Sequence, residues 1–390
     1  MPASGTPTGN TPTGGTPTTC NTSVTPDDWA RLVDESSYQR LPTQAEADCY
    51  VTDLVRVPLP AFMKGTNAGS EWTTRVNLVR LNLANWDTLA AVYGGNLALF
   101  LYVSLPPFAN DQGVELLSPM AEPYRSQRLA LATIMMARQK KKTGKPLVFA
   151  NAYPPTQQAT VFETKEAFRN WIVTEYLPEK IAEAKIAEKA KVEAFAPFPV
   201  EFEVLTRFQT KLFGPQGALT ESEQLAFAQE LIDLIASTVR PHFTGQLVAN
   251  SYFNYVNLGT AWNRLNFSAY DVIAFTLFPS CQAVDLRGPV SAQLAEYFDT
   301  QLANIQIIVR NSGGKRWYVA ELFARPFALD PCGYGTNAAF DTLEDDIYRI
   351  AFEKLDALPA SAGLSGMFVD EPYLRTSAAR ARVKAYFARH

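Results

Sequence analysis

The sequence predicts an α/β fold, a (β/α)8 TIM barrel, on two observations. Short apolar runs rich in β-branched and aromatic residues alternate with longer amphipathic runs, which is the pattern of βα units around a parallel sheet. Eight β-rich runs occur over roughly 340 residues, a length that suits a barrel once its loops are allowed for. A doubly wound open sheet is the alternative that this pattern leaves open.

The eight runs are predicted to be the strands of the sheet. They cover residues 54–62, 96–111, 145–155, 192–204, 245–256, 270–279, 316–327 and 365–374. The first run, LVRVPLPAF, is the weakest strand signal of the eight. The fourth and seventh runs each carry glutamates in an otherwise apolar context.

Amphipathic segments between these runs predict the helices. They cover residues 129–142, 163–191, 221–240, 290–307 and 343–358, with a short helical segment predicted within 26–50. Thr220 stands three residues before Glu223, a capping box that predicts a helix start. The basic run 138–142 falls at the end of a helical pattern, where cations complement the helix dipole.

Composition and charge exclude several classes of protein. The chain has 390 residues, of which 47% are hydrophobic, enough for a large core. The net charge of -4 provides no broad cationic surface for a phosphate backbone, so no nucleic-acid partner is expected. The sequence has no apolar stretch of roughly 20 residues, so membrane insertion is not expected either.

The N-terminus differs in composition from the rest of the chain. Residues 1–19 are almost entirely Thr, Pro and Gly, which predicts a disordered linker over 1–25 and a single barrel domain over 26–390. Such linkers commonly join modules of exported proteins, so further modules and a secreted or cell-surface location are expected. Asn21 and Asn266 begin glycosylation tripeptides that agree weakly with export. The first residues do not form a secretion signal, which leaves a cytoplasmic location open.

Four cysteines are spaced too widely for a zinc motif. Two disulfides are possible, Cys20 with Cys49 and Cys281 with Cys332, the second pair following strands six and seven. Four unpaired thiols are the alternative, because spacing alone does not fix connectivity.

Histidine is nearly absent, with two residues in the chain. This scarcity argues against Ser-His-Asp triads, Cys-His dyads and histidine-rich metal sites. The sequence has no Walker-type loop and no GxGxxG after a strand, so no metal and no cofactor are predicted. Catalysis, if present, is expected to depend on carboxylates.

Glu321 stands in the apolar run RWYVAELFARPF, where an unpaired carboxylate is costly to bury. Its position in the second half of strand seven places it near the barrel mouth, where the active sites of such barrels lie. The fourth run ends AFAPFPVEFEV and brings Glu201 and Glu203 to the same end of the barrel. A structural ion pair of Glu321 with Arg325, or with an arginine from a neighbouring strand, is the alternative.

An acid at the end of strand four and another at the end of strand seven resemble the paired glutamates of clan A retaining glycoside hydrolases, TIM-barrel enzymes that include cellulases, mannanases and galactanases. The resemblance covers about residues 50–375. It implies that Glu321 is the nucleophile and Glu201 the acid/base. Retention needs the two carboxyl groups about 5 to 5.5 Å apart.

One position departs from this family. The acid on strand four usually follows an asparagine that binds the sugar 2-hydroxyl, and the corresponding residue here is Val200. Glu203 therefore rivals Glu201 as the acid/base, since alternate strand residues point the same way. Asn250 on strand five is a candidate for the missing amide.

Residues near strand ends are candidates for substrate binding. Aromatic rings offer flat apolar faces for sugars, and polar groups offer partners for hydroxyls. The candidates are Trp72, Tyr153, Asn250, Tyr252, Trp262, Asp370 and Glu371.

The predicted function is a retaining β-glycosidase acting on a polysaccharide or oligosaccharide. The absence of the expected asparagine leaves open a catalytically inactive carbohydrate-binding or cell-surface barrel. Another barrel enzyme, a carboxylate-assisted lyase or a metal-dependent hydrolase, is a third possibility.

Overall fold

The computed structural model describes residues 43–67, 98–103, 122, 124–151, 162, 164–197, 219–252, 261–281, 289–322, 324, 329–334, 338–369 and 374–390. Eight parallel strands lie within these ranges. They are β1 Met63–Asn67, β2 Ala98–Val103, β3 Leu147–Asn151, β4 Ala194–Ala196, β5 Gln246–Tyr252, β6 Val272–Leu277, β7 Arg316–Leu322 and β8 Leu364–Val369.

The strands are arranged in chain order. Each pairs in parallel with the next, and β1 also pairs with β8, closing the sheet into a barrel. This closed order excludes the doubly wound open sheet. Glycine at position 366 allows the closing strands to approach, because a Cβ there would lie 2.7 Å from the carbonyl oxygen of Met63.

Eight α-helices lie in the part of the chain that the structure describes. They are α1 Gln44–Tyr50, α2 Tyr124–Thr143, α3 Lys165–Trp171, α4 Leu177–Lys189, α5 Glu221–Val239, α6 Val290–Asn311, α7 Ala338–Asp356 and α8 Ser377–Arg389. A π-helical turn, Ile172–Tyr176, joins α3 to α4. Helices follow β2, β3, β4, β6, β7 and β8. Part of every connection that follows a strand, and all of the connection between β1 and β2, lies outside the described residues.

The first predicted strand is wrong. Residues 54–62 form no strand, and β1 begins directly after them at Met63. Pro58 and Pro60 have no N–H group to donate to a neighbouring strand, so this run cannot pair within a sheet. Val55 is accordingly 70% exposed.

Apolar side chains form two layers on either side of the strands. The outer layer joins the strands to the helices and includes Phe195, Leu247, Phe275, Trp317 and Val319. The interior cluster lies inside the barrel and includes, among the described residues, Met63, Val148, Ala150, Ala194, Ala196, Val248, Val272, Ala274, Tyr318, Ala320 and Phe368. Consecutive strand residues alternate between the layers, which identifies the side chains that point into the barrel. Five of these eleven interior residues are alanine, whereas bulky branched residues dominate most such barrels.

No helix among the described residues is both long and apolar enough to cross a membrane.

Candidate active site

Glu321 lies next to the C-terminal end of β7 and is buried. The register between β6 and β7 shifts there: Phe275 pairs with Val319, but Thr276 pairs with Glu321, which leaves Ala320 as an extra residue. Simple alternation would point Glu321 outward, since Ala320 faces the interior. The extra residue instead brings Glu321 opposite Thr276, as expected where a bulge redirects a side chain.

Thr276 holds the carboxylate of Glu321. Its hydroxyl donates a hydrogen bond of 3.0 Å to Glu321 Oε2, and both side chains are buried. Val272 and Ala274, two and four positions before Thr276, belong to the interior cluster, so the alternation of β6 also points Thr276 into the barrel. A charge-assisted bond of this kind fixes the carboxylate on the inner side of the strands.

Tyr252 and Asn250 occupy successive levels of β5 beside this pair. Tyr252, the last residue of β5, pairs with Thr276, so Tyr252, Thr276 and Glu321 share one level across three strands. Asn250 pairs with Ala274 one level lower and is buried, with only 4% of its surface exposed. Asn250 therefore lies deeper in the barrel than Glu321.

Two tyrosines anchor the ends of the strands that carry this site. Tyr348 of α7 donates a hydrogen bond of 3.1 Å to the carbonyl oxygen of Leu322, directly after Glu321. Tyr297 of α6 donates one of 2.9 Å to the carbonyl oxygen of Phe278, directly after β6. Burial raises the pKa of Tyr297 well above its usual value, so its hydroxyl remains a donor. Each helix thereby fixes the end of the strand before it.

Glu344 of α7 anchors the chain beyond β8. Its carboxylate accepts hydrogen bonds of 2.8 Å from the backbone N–H groups of Arg375 and Thr376, at the start of α8. Glu344 is fully buried. This buried acid has a structural role, because its bonds hold a helix start in place.

The predicted disulfide between Cys281 and Cys332 is confirmed. It joins the segments that follow β6 and β7, with a Cα–Cα distance of 5.7 Å. Cys49 is also disulfide-bonded, and Cys20, its predicted partner, lies outside the described residues. The alternative of four free thiols is wrong, since all three cysteines among the described residues are disulfide-bonded.

Most other predicted site residues lie outside the described residues, namely Glu201, Glu203, Trp72, Tyr153, Asp370, Glu371 and Arg325. Trp262 falls in a 3-10 turn, Ala261–Arg264, between β5 and β6. Its predicted contact with substrate stays a prediction, as does the separation of the glutamate carboxyl groups.

Within the described ranges, no group of three or more His, Cys, Asp or Glu side chains is placed to hold a metal ion. The expectation that no cofactor is required stays a prediction.

Sequence reasoning missed Thr276 and Tyr348. Thr276 is the one hydroxyl in the β6 sequence VIAFTL, and a polar residue at an inward position near a strand end is a usable signal. Tyr348 carries no such signal, because a tyrosine on the apolar face of a helix is typical of any core.

No protein-family model matches the chain, and no curated protein matches its sequence. The structure is similar to solved TIM-barrel glycoside hydrolases. A β-1,4-mannanase of glycoside hydrolase family 113 has a TM-score of 0.50 and 16% identity, over 85% of this chain and 100% of the other.

Two further structures are similar over most of the chain. An endo-β-1,4-mannanase of family 26 from Cellulomonas fimi has a TM-score of 0.52 and 12% identity, over 84% of this chain and 70% of the other. Endo-glycoceramidase II from Rhodococcus sp. has a TM-score of 0.50 and 14% identity, over 83% and 78%. At these identities the likeness shows a shared fold.

Proposed function

We propose that this chain is a retaining β-glycosidase in which Glu321 is the nucleophile and Glu201 or Glu203 is the acid/base. The observation that carries the proposal is the placement of Glu321. It is buried at the C-terminal end of β7, turned into the barrel by a register shift and held by Thr276. In this fold, catalytic groups lie at that end of the strands.

The proposed reaction has two displacements at the anomeric carbon. Glu321 attacks that carbon while the acid/base protonates the leaving oxygen, so one C–O bond breaks and a glycosyl ester forms. Water then attacks the same carbon, the acid/base takes its proton, and the ester bond to Glu321 breaks. The two inversions together retain the β configuration.

A sugar substrate is supported by the resemblance of the sequence and by the fold. Solved structures of this fold include mannanases and an endo-glycoceramidase. β-1,4-Linked mannans and β-linked glycosides of glucose are therefore the first substrates to screen. The pair Cys281–Cys332 supports a secreted or cell-surface location, because disulfides persist in oxidising compartments. A linker at 1–25 that carries further modules is part of the same proposal.

Replacing the nucleophile tests this function directly. Glu321→Gln is expected to reduce hydrolysis by about 10⁴-fold or more, because the amide cannot form the glycosyl ester. Release of reducing ends from β-linked polysaccharides measures the activity. NMR of the first-formed anomer measures retention.

The matched control is Glu166→Gln, which changes an exposed glutamate on α3 and is expected to keep full activity. Wild-type turnover in the Glu321→Gln variant, or product of inverted configuration, would contradict the proposed mechanism.

Azide rescue identifies the acid/base. In the correct alanine variant, an aryl glycoside with a good leaving group still forms the glycosyl ester, but water attacks it slowly without a base. Added azide needs no base and restores turnover, with a β-glycosyl azide as product. Glu201→Ala and Glu203→Ala are each other's control, and rescue in neither variant would remove both assignments.

A catalytically inactive carbohydrate-binding barrel is the second candidate. The observation in its favour is Val200, which stands where the related enzymes have the asparagine that binds the 2-hydroxyl. Calorimetry that detects oligosaccharide binding by a wild-type protein that releases no reducing ends would favour it.

A further inference from the structure

Two buried polar groups lie one level below Glu321 in the barrel. Tyr318 is fully buried and Asn250 nearly so. Neither Tyr318 Oη nor Asn250 Oδ1 has a hydrogen-bond partner among the described residues. Tyrosine can donate and asparagine Oδ1 can accept, so these two atoms have complementary needs.

The strand register places the two residues across one alanine. Asn250 of β5 pairs with Ala274 of β6, and Ala274 pairs with Tyr318 of β7. Neighbouring strands lie about 4.8 Å apart, so the backbones of β5 and β7 are about 10 Å apart at this level. Ala274 and Tyr318 belong to the interior cluster, and Asn250 follows Val248 by two positions, so all three point inward.

Two of the interior residues beside this pair are alanines. Ala274 stands between the two residues, and Ala320 follows Tyr318 on the same face. Because Ala274 contributes only a methyl group, no large side chain of β6 separates the asparagine from the tyrosine, and the two do not bond each other directly. Buried polar atoms in folded proteins are satisfied by protein or by ordered water.

We propose that Asn250 and Tyr318 form a binding site for one hydroxyl group beneath Glu321. The bound group accepts a hydrogen bond from Tyr318 Oη–H and donates one to Asn250 Oδ1. In the free protein this group is an ordered water. A hydroxyl group of the substrate has the same chemistry as water and is the second ligand that this site would accept.

This bridge would connect β5 to β7 just below the glutamate. Tyr318 is therefore a positioning residue for Glu321, a consequence that rests on the proposed function, whereas the hydroxyl site itself does not.

A crystal structure at high resolution tests the site. One water within hydrogen-bond distance of both atoms in the free protein is the expected result. A direct bond between the two side chains, or no density between them, would overturn the proposal. In crystals soaked with mannobiose, a retained water identifies water as the ligand, and its replacement by a sugar oxygen identifies the substrate.

A double-mutant cycle tests the bridge in solution, independently of any activity. Tyr318→Phe and Asn250→Ala should each lower Tm by about 1–3 °C. Since either change breaks the same bridge, the double variant should lose only about as much as the worse single variant. Additive losses would contradict the bridge. If Asn250→Ala does not fold, Asn250→Ser replaces it in the cycle.

Tyr386→Phe is the matched control. Tyr386 Oη is likewise buried with no partner among the described residues, but it lies on α8 in the outer layer. The decrease in Tm caused by Tyr386→Phe should add to the decrease caused by Asn250→Ala. Coupling between these two changes as large as that between Tyr318→Phe and Asn250→Ala would overturn the assignment to Tyr318.

The effect of Tyr318→Phe on turnover tests the positioning role. A several-fold lower kcat with unchanged KM is expected, because the phenyl ring keeps the packing and removes only the hydroxyl. Unchanged kcat beside a confirmed water would restrict the site to a structural role. Complete inactivity of the wild-type protein would instead contradict the proposed function and leave the hydroxyl site standing.

Discussion

Two buried glutamates stand at opposite ends of the barrel and are held in different ways. Glu193 precedes β4 and accepts hydrogen bonds of 2.9 Å from the N–H of Val57 and 2.7 Å from the N–H of Leu147. Its third partner is the ammonium group of Lys140. Glu321 lies near the end of β7 and accepts a hydrogen bond from the hydroxyl of Thr276.

The partners of Glu193 connect the strands and helices around it. They belong to the segment before β1, to the first residue of β3 and to α2. Burial lowers the pKa of Lys140, and the charge of Glu193 opposes that change. The arrangement is therefore a structural one, at the end of the barrel where stability is expected to be determined.

A second acidic residue at the N-terminal end of the barrel also has a structural role. Asp271 accepts a hydrogen bond of 2.8 Å from the N–H of Leu247 and pairs with Arg240. The difference between the two ends indicates that burial alone does not mark a catalytic carboxylate. The proposal for Glu321 depends instead on its position along the strand, at the end of the barrel where catalytic groups lie.

The largest effect on stability is expected at Glu193. Glu193→Gln removes the charge beside Lys140 and should lower the free energy of unfolding by about 3–5 kcal/mol, because a buried cation is left uncompensated. Urea denaturation measures it. Glu321→Gln should change stability by less than this, although it should reduce the proposed activity by about 10⁴-fold or more.

Glu353→Gln, on the exposed face of α7, is the surface control and should change stability by less than about 0.5 kcal/mol. Equal destabilisation by the Glu193 and Glu321 variants would remove the contrast between the two ends.

The disulfide at the C-terminal end of the strands should have the next largest effect. It closes a loop with a sequence separation of 51, for which chain entropy predicts a stabilisation of about 4 kcal/mol. Replacing Cys281 and Cys332 together by Ser should lower the free energy of unfolding by about 2–4 kcal/mol.

Native-state proteolysis locates this loss. Cleavage should become faster in the segments after β6 and β7, while those before β3 and β4 keep their protection. Uniform loss of protection would show that the bond stabilises the whole barrel rather than the loops at one end.

The sequence predicted the position of Glu321 along β7, and the family resemblance implied an inward side chain, but the register shift that turns it inward could not be predicted. Its place in the second half of an apolar run follows from the order of strands and helices. Its inward orientation depends on the register shift at Ala320, which arises from pairing between strands and has no local signature. The capping box is the opposite case: Thr220 and Glu223 bond each other in the structure because every contact lies within one helical turn.

The features that were predicted wrongly or missed also depend on contacts between distant segments or on the wider fold. The strand predicted for residues 54–62 is wrong, because Pro58 and Pro60 interrupt the apolar run and cannot donate hydrogen bonds to a sheet. The final helix, α8, was not predicted from the pattern, although the structure buries its apolar side chains against the outer layer. The role of Thr276 could not be predicted either, because its partner Glu321 lies 45 positions away in the sequence.

Thr276→Val tests how the partner of Glu321 contributes to function. Valine keeps the shape of the side chain and removes the hydrogen bond to a charged group, a contribution of about 1.5–3 kcal/mol. We therefore expect kcat to fall by at least about 10-fold, while KM stays nearly constant. Thr276→Ser keeps the hydroxyl and should retain most of the activity. A Val variant as active as the Ser variant would contradict a positioning role for this hydroxyl.

The smallest effect concerns acid stability at the N-terminal end. Burial opposes ionisation of Glu188, but hydrogen bonds from Arg56, Thr244 and Lys191 outweigh it and lower its pKa to about 2 from the usual 4.5. The stabilisation is therefore complete above about pH 4.5 and is lost as the pH falls towards 2. Because the side chain is one-quarter exposed, solvent screening limits this contribution to about 1 kcal/mol.

Glu188→Gln should consequently be less stable than the wild type at pH 6, and the difference should disappear near pH 2. Urea denaturation across this range measures it, with Glu166→Gln as a control that should follow the wild type at every pH. A constant difference between Glu188→Gln and the wild type would show that the amide loses packing rather than charge. The ion pairs of Glu188 at the N-terminal end of the barrel would then make no measurable contribution to acid stability.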